Sequence, residues 1–457
     1  MFNGNLILYQ EAQEIIKKLN ASGFAAYFAG GAVRDMLLNI IPSDIDIATN
    51  ATPTEISQIF VNSKLVGAVF GVVIVKIREH KFEVATFRKD KEYYDGRHPS
   101  EVEFTSAEED AKRRDFTVNS MFYDPIEKKV IDFVGGRKDL KNGVLRAIGD
   151  ADTRFSEDYL RMIRAIRFAS RLSFKIEKKT WNSIRKNVHN AANIAVERVR
   201  EELSTCLMGK NPDNALQLML DSGMLQIILP EIAKMKGIKQ PHEFHPEGDV
   251  FEHTKLMLRQ MAQDSYELQA GKTIKGATET TETLAWAVLF HDVGKPETMK
   301  IADRIRFDGH AAVGADIADR ICFRLKFSNE MREDIENLVQ NHMKFMEIMN
   351  MKLSTLKKFL QTENFDLHLA LHRLDCIASH GDLSKIDFIL DKIDELGEEQ
   401  IKPAPILTGD DIIGLGIKRG PKIGEIIKDL EIQQLEGFIT SRIEAINFVK
   451  ERYITGK

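Results

Sequence analysis

Short strand-like runs crowd the first 140 or so residues of this 457-residue chain and become scarce beyond about residue 150. Residues 25–29, 45–47, 71–77, 82–87 and 130–133 are brief apolar or alternating runs of this kind. Residues 9–19 and then 152–172 carry apolar side chains at helical spacing, and helical patterning prevails from there on. A chain so divided folds as an α/β head followed by a long helical body. The polar, glycine-spaced stretch 260–283 reads as a surface loop between helices. Pro403 and Pro405 mark a boundary before a C-terminal segment. The length predicts two to four separate cores.

Charge narrows the classes of function. The formal net charge of −5 gives no overall basic footprint, so any contact with nucleic acid must come from local patches. No run of about 18 apolar residues occurs, which excludes a membrane-spanning helix. Residues 1–10 lack the basic start and apolar run of a signal peptide. Cys206, Cys322 and Cys376 are odd in number and far apart, so they read as core thiols of a cytoplasmic protein.

Gly30-Gly31-Ala-Val-Arg34-Asp sits where a strand pattern gives way to a helix. Paired glycines let backbone approach phosphate closely, and Arg34, one turn on, is placed to clamp it. Taken alone, such a pair is usually a tight turn. About a dozen residues later comes Pro42-Ser-Asp44-Ile-Asp46-Ile-Ala. On a strand, Asp44 and Asp46 share one face while Ile45 and Ile47 share the other. Paired carboxylates are either a solvated edge or the oxygen donors of a Mg²⁺ site, to which Glu83 adds a third carboxylate. Further on, Asp158, Arg161, Arg164 and Arg167 recur at i+3 steps and would form one polar stripe on a continuous helix.

Gly-Gly followed by Asp-x-Asp resembles the polymerase-β-type nucleotidyltransferase superfamily. Arg113-Arg114-Asp115-Phe116-Thr117-Val-Asn119, Asp132-Phe-Val-Gly-Gly-Arg137 and Phe155-Ser-Glu157-Asp158-Tyr-Leu-Arg161-Met-Ile-Arg164-Ala-Ile-Arg167-Phe168 narrow it. In this order they resemble the bacterial and eukaryotic class of tRNA nucleotidyltransferases, over residues 24 to about 203. The resemblance implies a nucleotidyltransferase catalytic head (1–145), a helical neck that selects bases (146–210), a helical body (211–400) and a helical RNA-binding tail (401–457). It implies Mg²⁺ at Asp44 and Asp46, with Glu83 as a third catalytic carboxylate. Gly31, Arg34, Arg114, Asp158, Arg161, Arg164 and Arg167 fall around the nucleotide. The implied activity adds CCA, or the terminal A, to the tRNA 3′ end from CTP and ATP without a nucleic-acid template, by two-metal phosphoryl transfer.

Base choice follows from hydrogen-bond arithmetic. Cytosine and adenine both present an amino donor beside a ring-nitrogen acceptor, and uracil and guanine present the reverse. A carboxylate beside a guanidinium therefore passes C and A and repels U and G. The resemblance assigns that role to Asp158 and Arg161. The polar segment 88–104, with Gly96 and Pro99, reads as a mobile loop. The family uses such a loop to pass from C to A addition, and its full length here favours CCA or A addition over CC alone.

His291-Asp292-Val-Gly-Lys295 closes the apolar run 284–290, with His253, His310, His342 and Asp375 elsewhere. This resembles the HD phosphohydrolase domain, whose minimal ligand set matches His253, His291, Asp292 and Asp375. A transition metal ion is the implied occupant, with His310 and His342 near a second position and His242 and His245 read as loop residues. At the C-terminal end, glycine turns at 409–424 with Lys418, Arg419 and Lys422 suit RNA phosphates as well as an ordinary turn. Two alternatives stand beside CCA addition: a poly(A) polymerase, and a bifunctional enzyme whose HD domain is a phosphohydrolase. The basic stretch usual in poly(A) polymerases is missing at Val66-Gly67-Ala-Val-Phe-Gly-Val-Val.

Overall fold

The computed structural model describes residues 6–66, 71–90, 102–243 and 245–455, in two compact units divided between Ala233 and Lys234. In the first unit, α1 (Leu6–Ala21) turns Leu8, Ala12, Ile15, Ile16 and Leu19 inward, an apolar stripe at helical spacing. It packs on β1 (Ala26–Ala29), with Tyr9 edge-on to Phe28 at 5.4 Å. Then come α2 (Gly31–Leu37), β2 (Asp46–Thr49), α3 (Pro53–Ile59), β3 (Ser63–Leu65), β4 (Val72–Ile77) and β5 (His80–Thr86). Next are β6 (Arg88–Asp90), β7 (Val102–Phe104), α4 (Ala107–Arg113), β8 (Phe122–Asp124), β9 (Lys129–Ile131) and α5 (Gly136–Asn142).

One seven-stranded sheet runs β3-β4-β5-β2-β1-β8-β9. All its neighbours are antiparallel except β2 and β5, which run parallel with Ile47 opposite Val84. Phe28, Ile47, Val73, Val75, Phe82 and Val84 are fully buried, which anchors the central strands. Ala29, Ala48, Phe87, Ala111 and Phe122 form a further cluster that seats α4. The segment 88–104 is not wholly a loop: β6 and β7 pair antiparallel at its two ends. Its residues 91–101 lie outside the described residues.

The rest of this unit is nearly all helix: β10 (Val144–Leu145), α6 (Ala151–Glu157), α7 (Leu160–Leu172), β11 (Lys175–Ile176), α8 (Lys178–Asn187), α9 (Val196–Leu207), α10 (Pro212–Ser222), α11 (Met224–Ile228) and α12 (Pro230–Ala233). The continuous helix expected over 152–172 is broken at Asp158, whose backbone is extended (φ −147°, ψ 106°). Its side chain accepts the Leu160 N–H at 3.1 Å, so a local side-chain bond starts the second helix where the first one ends. Asp158 therefore stands at a junction rather than on the helical stripe of Arg161, Arg164 and Arg167.

The second unit contains α13 (Val250–Gln269), α14 (Glu282–Phe290), α15 (Lys295–Thr298), the hairpin β12 (Lys300–Ile301) and β13 (Ile305–Arg306), α16 (His310–Arg324) and α17 (Asn329–Asn341). A 3₁₀ segment (His342–Asn350) leads to α18 (Leu353–Leu360), α19 (Phe365–Ala378), α20 (Ser384–Ile401), α21 (Gly409–Gly414), α22 (Pro421–Leu435) and α23 (Arg442–Val449). The loop expected over 260–283 is helical as far as Gln269. Gln260 donates to Asp264 and Gln263 to Glu267, one turn apart, and buried Asp264 pairs with Arg373 of α19. Polarity there marks a buried ion pair and an exposed face, not a break. Helix α14 is buried from Leu284 to Phe290, as an all-apolar helix must be. Beyond Pro405, residues Leu407 to Val449 gather a hydrophobic cluster of their own. Among the described residues no helix is long and apolar enough to cross a membrane.

Candidate active site and metal centre

The head's carboxylates come from Asp46 at the start of β2, Asp44 just before it and Glu83 on β5. Ile45 and Ile47 are buried while Asp44 and Asp46 remain open to water. One step before the Ile47–Val84 pairing, the parallel register brings Asp46 alongside Glu83. Protein packed around Asp46, then the nearby charges of Asp44 and Glu83, push its pKa up to about 6, against the opposing pull of Arg114. Three carboxylates crowded this way repel one another, and a divalent cation among them relieves that repulsion. The donor set is all oxygen, which fits Mg²⁺.

Gly30 has φ 68°, a left-handed conformation. A Cβ there would lie 3.1 Å from Arg114 Nη1, so glycine is what allows the arginine to lie against the turn. Arg114 is held in place by Asp110, at 3.1 Å from Nε and 3.0 Å from Nη2, and covers the Phe122 ring at 5.2 Å. Burial works against the Asp110 charge, yet Arg114 and Arg113 keep its pKa below the ordinary carboxylate value. Gly31 opens α2. Arg34 is only 2% exposed, and its guanidinium holds Asp35 at 2.7 Å and Asn119 at 2.6 Å. It ties α2 to the segment carrying Thr117 and Asn119.

At the junction of α6 and α7, Asp158 and Arg161 each have other partners. Both Asp158 oxygens accept from Arg198 of α9, at 3.1 and 2.9 Å. Arg161 donates to Glu157 at 2.5 Å and to the backbone oxygens of Arg154 and Arg113. Arg164 pairs with Asp115 at 2.7 Å, and Arg167 pairs with Glu202 while lying over Phe168 at 4.2 Å. Burial disfavours the Asp115 charge, but Arg164, Arg161 and the Phe116 N–H together lower the pKa. Sequence reasoning did not reach Arg198 and Glu202, which come from α9. No motif links α9 to Asp158, and only the packing of α9 on α7 supplies the contact.

In the second unit, the HD residues converge from five helical segments. His253 Nε2 lies 3.1 Å from Asp375 Oδ1, and His291 Nε2 lies 3.1 Å from Asp292 Oδ2. The rings of His253 and His291 are 5.4 Å apart. His310 Nε2 is 3.5 Å from Asp292 Oδ1 and 3.2 Å from His342 Nε2. The Nδ1 atoms of His291, His310 and His342 face the backbone oxygens of Val288, Phe307 and Val339, which turns each Nε2 inward. Gly294 makes the approach possible, since a Cβ there would fall 2.2 Å from the His310 carbonyl oxygen.

The electrostatics are those of a metal-ligand set. His253 Nε2, His291 Nε2 and Asp292 Oδ1 are buried and make no well-aligned hydrogen bond, although each of the two nitrogens lies 3.1 Å from a carboxylate oxygen. Burial opposes the Asp292 charge, but His291 and Lys295 hold its pKa far below the ordinary value. Burial also pushes His342 down to about 4, so it stays neutral and able to ligate. Orphaned nitrogens beside a carboxylate oxygen fit a divalent transition metal. His245, read from sequence as a loop residue, joins Glu247 and His253 in a third potential ligand group. His242 is exposed and belongs to no such group among the described residues.

Comparison with known proteins places the two units in known classes. The pattern of the poly A polymerase head domain matches residues 26–146. That of a probable RNA- and SrmB-binding site of polymerase A matches 173–236, and that of the HD domain matches 250–396. A CCA-adding enzyme of Streptococcus suis is 32% identical over 452 residues, covering 97% of this chain and 96% of its own. One from Ligilactobacillus salivarius is 44% identical over 240 residues, 52% of this chain and 59% of that enzyme. The crystal structure of Bacillus stearothermophilus CCA-adding enzyme in complex with CTP superposes with a TM-score of 0.70, at 26% identity and 97% coverage of both chains. The fold is thus that of a nucleotidyltransferase with a polymerase-type head, a helical region and an HD domain. Within that class, the chain belongs to the CCA-adding enzymes, a family of tRNA nucleotidyltransferases.

Proposed function

We propose that this enzyme adds C, C and A to the 3′ end of tRNA from CTP and ATP without a nucleic-acid template. The observation that carries the reading is the group of Asp44, Asp46 and Glu83 beside Arg114 and the Gly30 turn. Asp44 and Asp46 would hold Mg²⁺, which would supply charge to acidify the RNA 3′-hydroxyl and to offset charge on the triphosphate. Arg114, fixed by Asp110, would meet phosphate rather than base. Arg34, being buried, shapes this side of the site from within.

Asp158 and Arg161 read the base. Arg198 holds the Asp158 carboxylate in place; Oδ1 also accepts the Leu160 N–H, so Oδ2 keeps the further lone pair to accept an amino hydrogen of C or A. Glu157 and two backbone oxygens hold Arg161, which would donate to the ring nitrogen. The test uses tRNAs lacking CCA, ending in C and ending in CC, each with labelled CTP and ATP. Incorporation of C into the first two and of A into the third supports full CCA addition. Incorporation of A alone would restrict the enzyme to the last step, and no incorporation at all would overturn the reading.

A second activity is favoured by the orphaned Nε2 atoms around Asp292. We read this cluster as a transition-metal centre suited to phosphate-ester hydrolysis. Hydrolytic opening of a 2′,3′-cyclic phosphate to a phosphomonoester, lost in His291→Ala/Asp292→Ala, is its test.

A further inference from the structure

The segment leading into α13 brings the HD cluster a carboxylate that no motif marked. Glu247 Oε1 accepts from His253 Nδ1 at 2.6 Å and from His245 Nδ1 at 2.9 Å. The side chain is 6% exposed, and its other oxygen is buried without a hydrogen-bond partner. The two rings meet edge-on at 5.0 Å, so a single oxygen brackets both. The other histidines of the cluster rest their Nδ1 on neutral backbone oxygens, and His253 alone among them rests on a charged group.

An imidazole that gives its Nδ1 proton to an acceptor presents an unprotonated Nε2, and a carboxylate acceptor makes that nitrogen the better donor to a metal. His253 Nε2 points into the space shared with Asp375 and His291. We propose that Glu247 is the positioning residue of the metal centre: it fixes the tautomer and orientation of His253, with His245 holding the carboxylate from its far side. The proposal rests on reading the histidine–aspartate cluster as a metal centre.

Co²⁺ is the probe, because its visible spectrum reports imidazole ligation. The titration is made on the full chain, stripped of metal and carrying Asp44→Ala and Asp46→Ala so that the head contributes nothing. In this background Glu247→Gln should weaken Co²⁺ binding roughly 10- to 100-fold and alter the spectrum, while the thermal midpoint of the metal-free protein stays close to the parent's. Glu247→Asp, which keeps the charge but shortens its reach, should restore part of the affinity. It also carries the test should Glu247→Gln fail to fold. If Asp292→Ala left Co²⁺ binding intact, the cluster would not be the metal centre and the underlying reading would fall. If Asp292→Ala abolished binding while Glu247→Gln bound Co²⁺ as tightly as the parent, the site would stand and the role of Glu247 would be refuted. A lower metal-free midpoint with unchanged Co²⁺ affinity would likewise make Glu247 merely structural.

Discussion

Replacing Asp158 by alanine removes an acceptor from the proposed base-reading position and leaves Arg198 without its two-point partner. The carboxylate is 18% exposed, so both consequences arise in a largely desolvated place. Loss of the acceptor for a buried amino donor costs about 1–3 kcal/mol. That corresponds to roughly ten- to a hundred-fold in kcat/KM for CTP and ATP. The same change removes the repulsion that faces the carbonyl of U or G, so their relative use should rise. Arg198, freed to donate, should favour a carbonyl and narrow the gap further. Asp158→Asn is the sharper variant, since its amide offers a donor to U in the same place. Asp158 also accepts the Leu160 N–H, and losing that local bond should lower stability by about 0.5–2 kcal/mol. The assay is steady-state kinetics with each of the four nucleotides on tRNA primers, below the thermal midpoint of each variant. Unchanged discrimination against UTP and GTP in both variants would refute the reasoning and leave Asp158 as a helix-junction residue.

Asp44→Ala or Asp46→Ala should abolish both C and A incorporation while tRNA affinity stays near wild type; turnover above about one per cent would show that neither is a metal ligand. Arg114→Ala should weaken all nucleotides by a similar factor, and a change confined to one base would reassign it from phosphate to base. His291→Ala with Asp292→Ala should remove metal binding from the second unit and leave nucleotide addition intact, as measured by metal analysis beside primer extension. Burial pushes the Cys206, Cys322 and Cys376 thiols up to about 12, so at pH 8 each is about 10⁻⁴ thiolate in the folded chain. A thiol reagent should therefore titrate three groups only after denaturation, with prompt native labelling as the contrary result.

The local code reached far into this molecule. Alternation at Asp44-Ile-Asp46-Ile foretold which side chains are buried, although the strand itself begins only at Asp46. The order of motifs identified the family, and His-Asp adjacency marked the HD domain and its candidate site. Element boundaries were legible where apolar periodicity was strong, as in α1 and α14. They failed where polar residues serve tertiary partners: Asp264 looks like loop chemistry until Arg373 arrives from 109 residues away to pair with it. Asp158 fits a helical stripe by spacing, yet its own bond to Leu160 breaks the helix. What tertiary structure alone decided is which groups meet. Arg198 on Asp158 and Glu202 on Arg167 join segments that sequence cannot pair, because contact across a packed interface leaves no periodic trace along the chain. The residue types prescribed the chemistry, and the packing of α9 on α7 and of α13 on α19 decided where that chemistry is assembled.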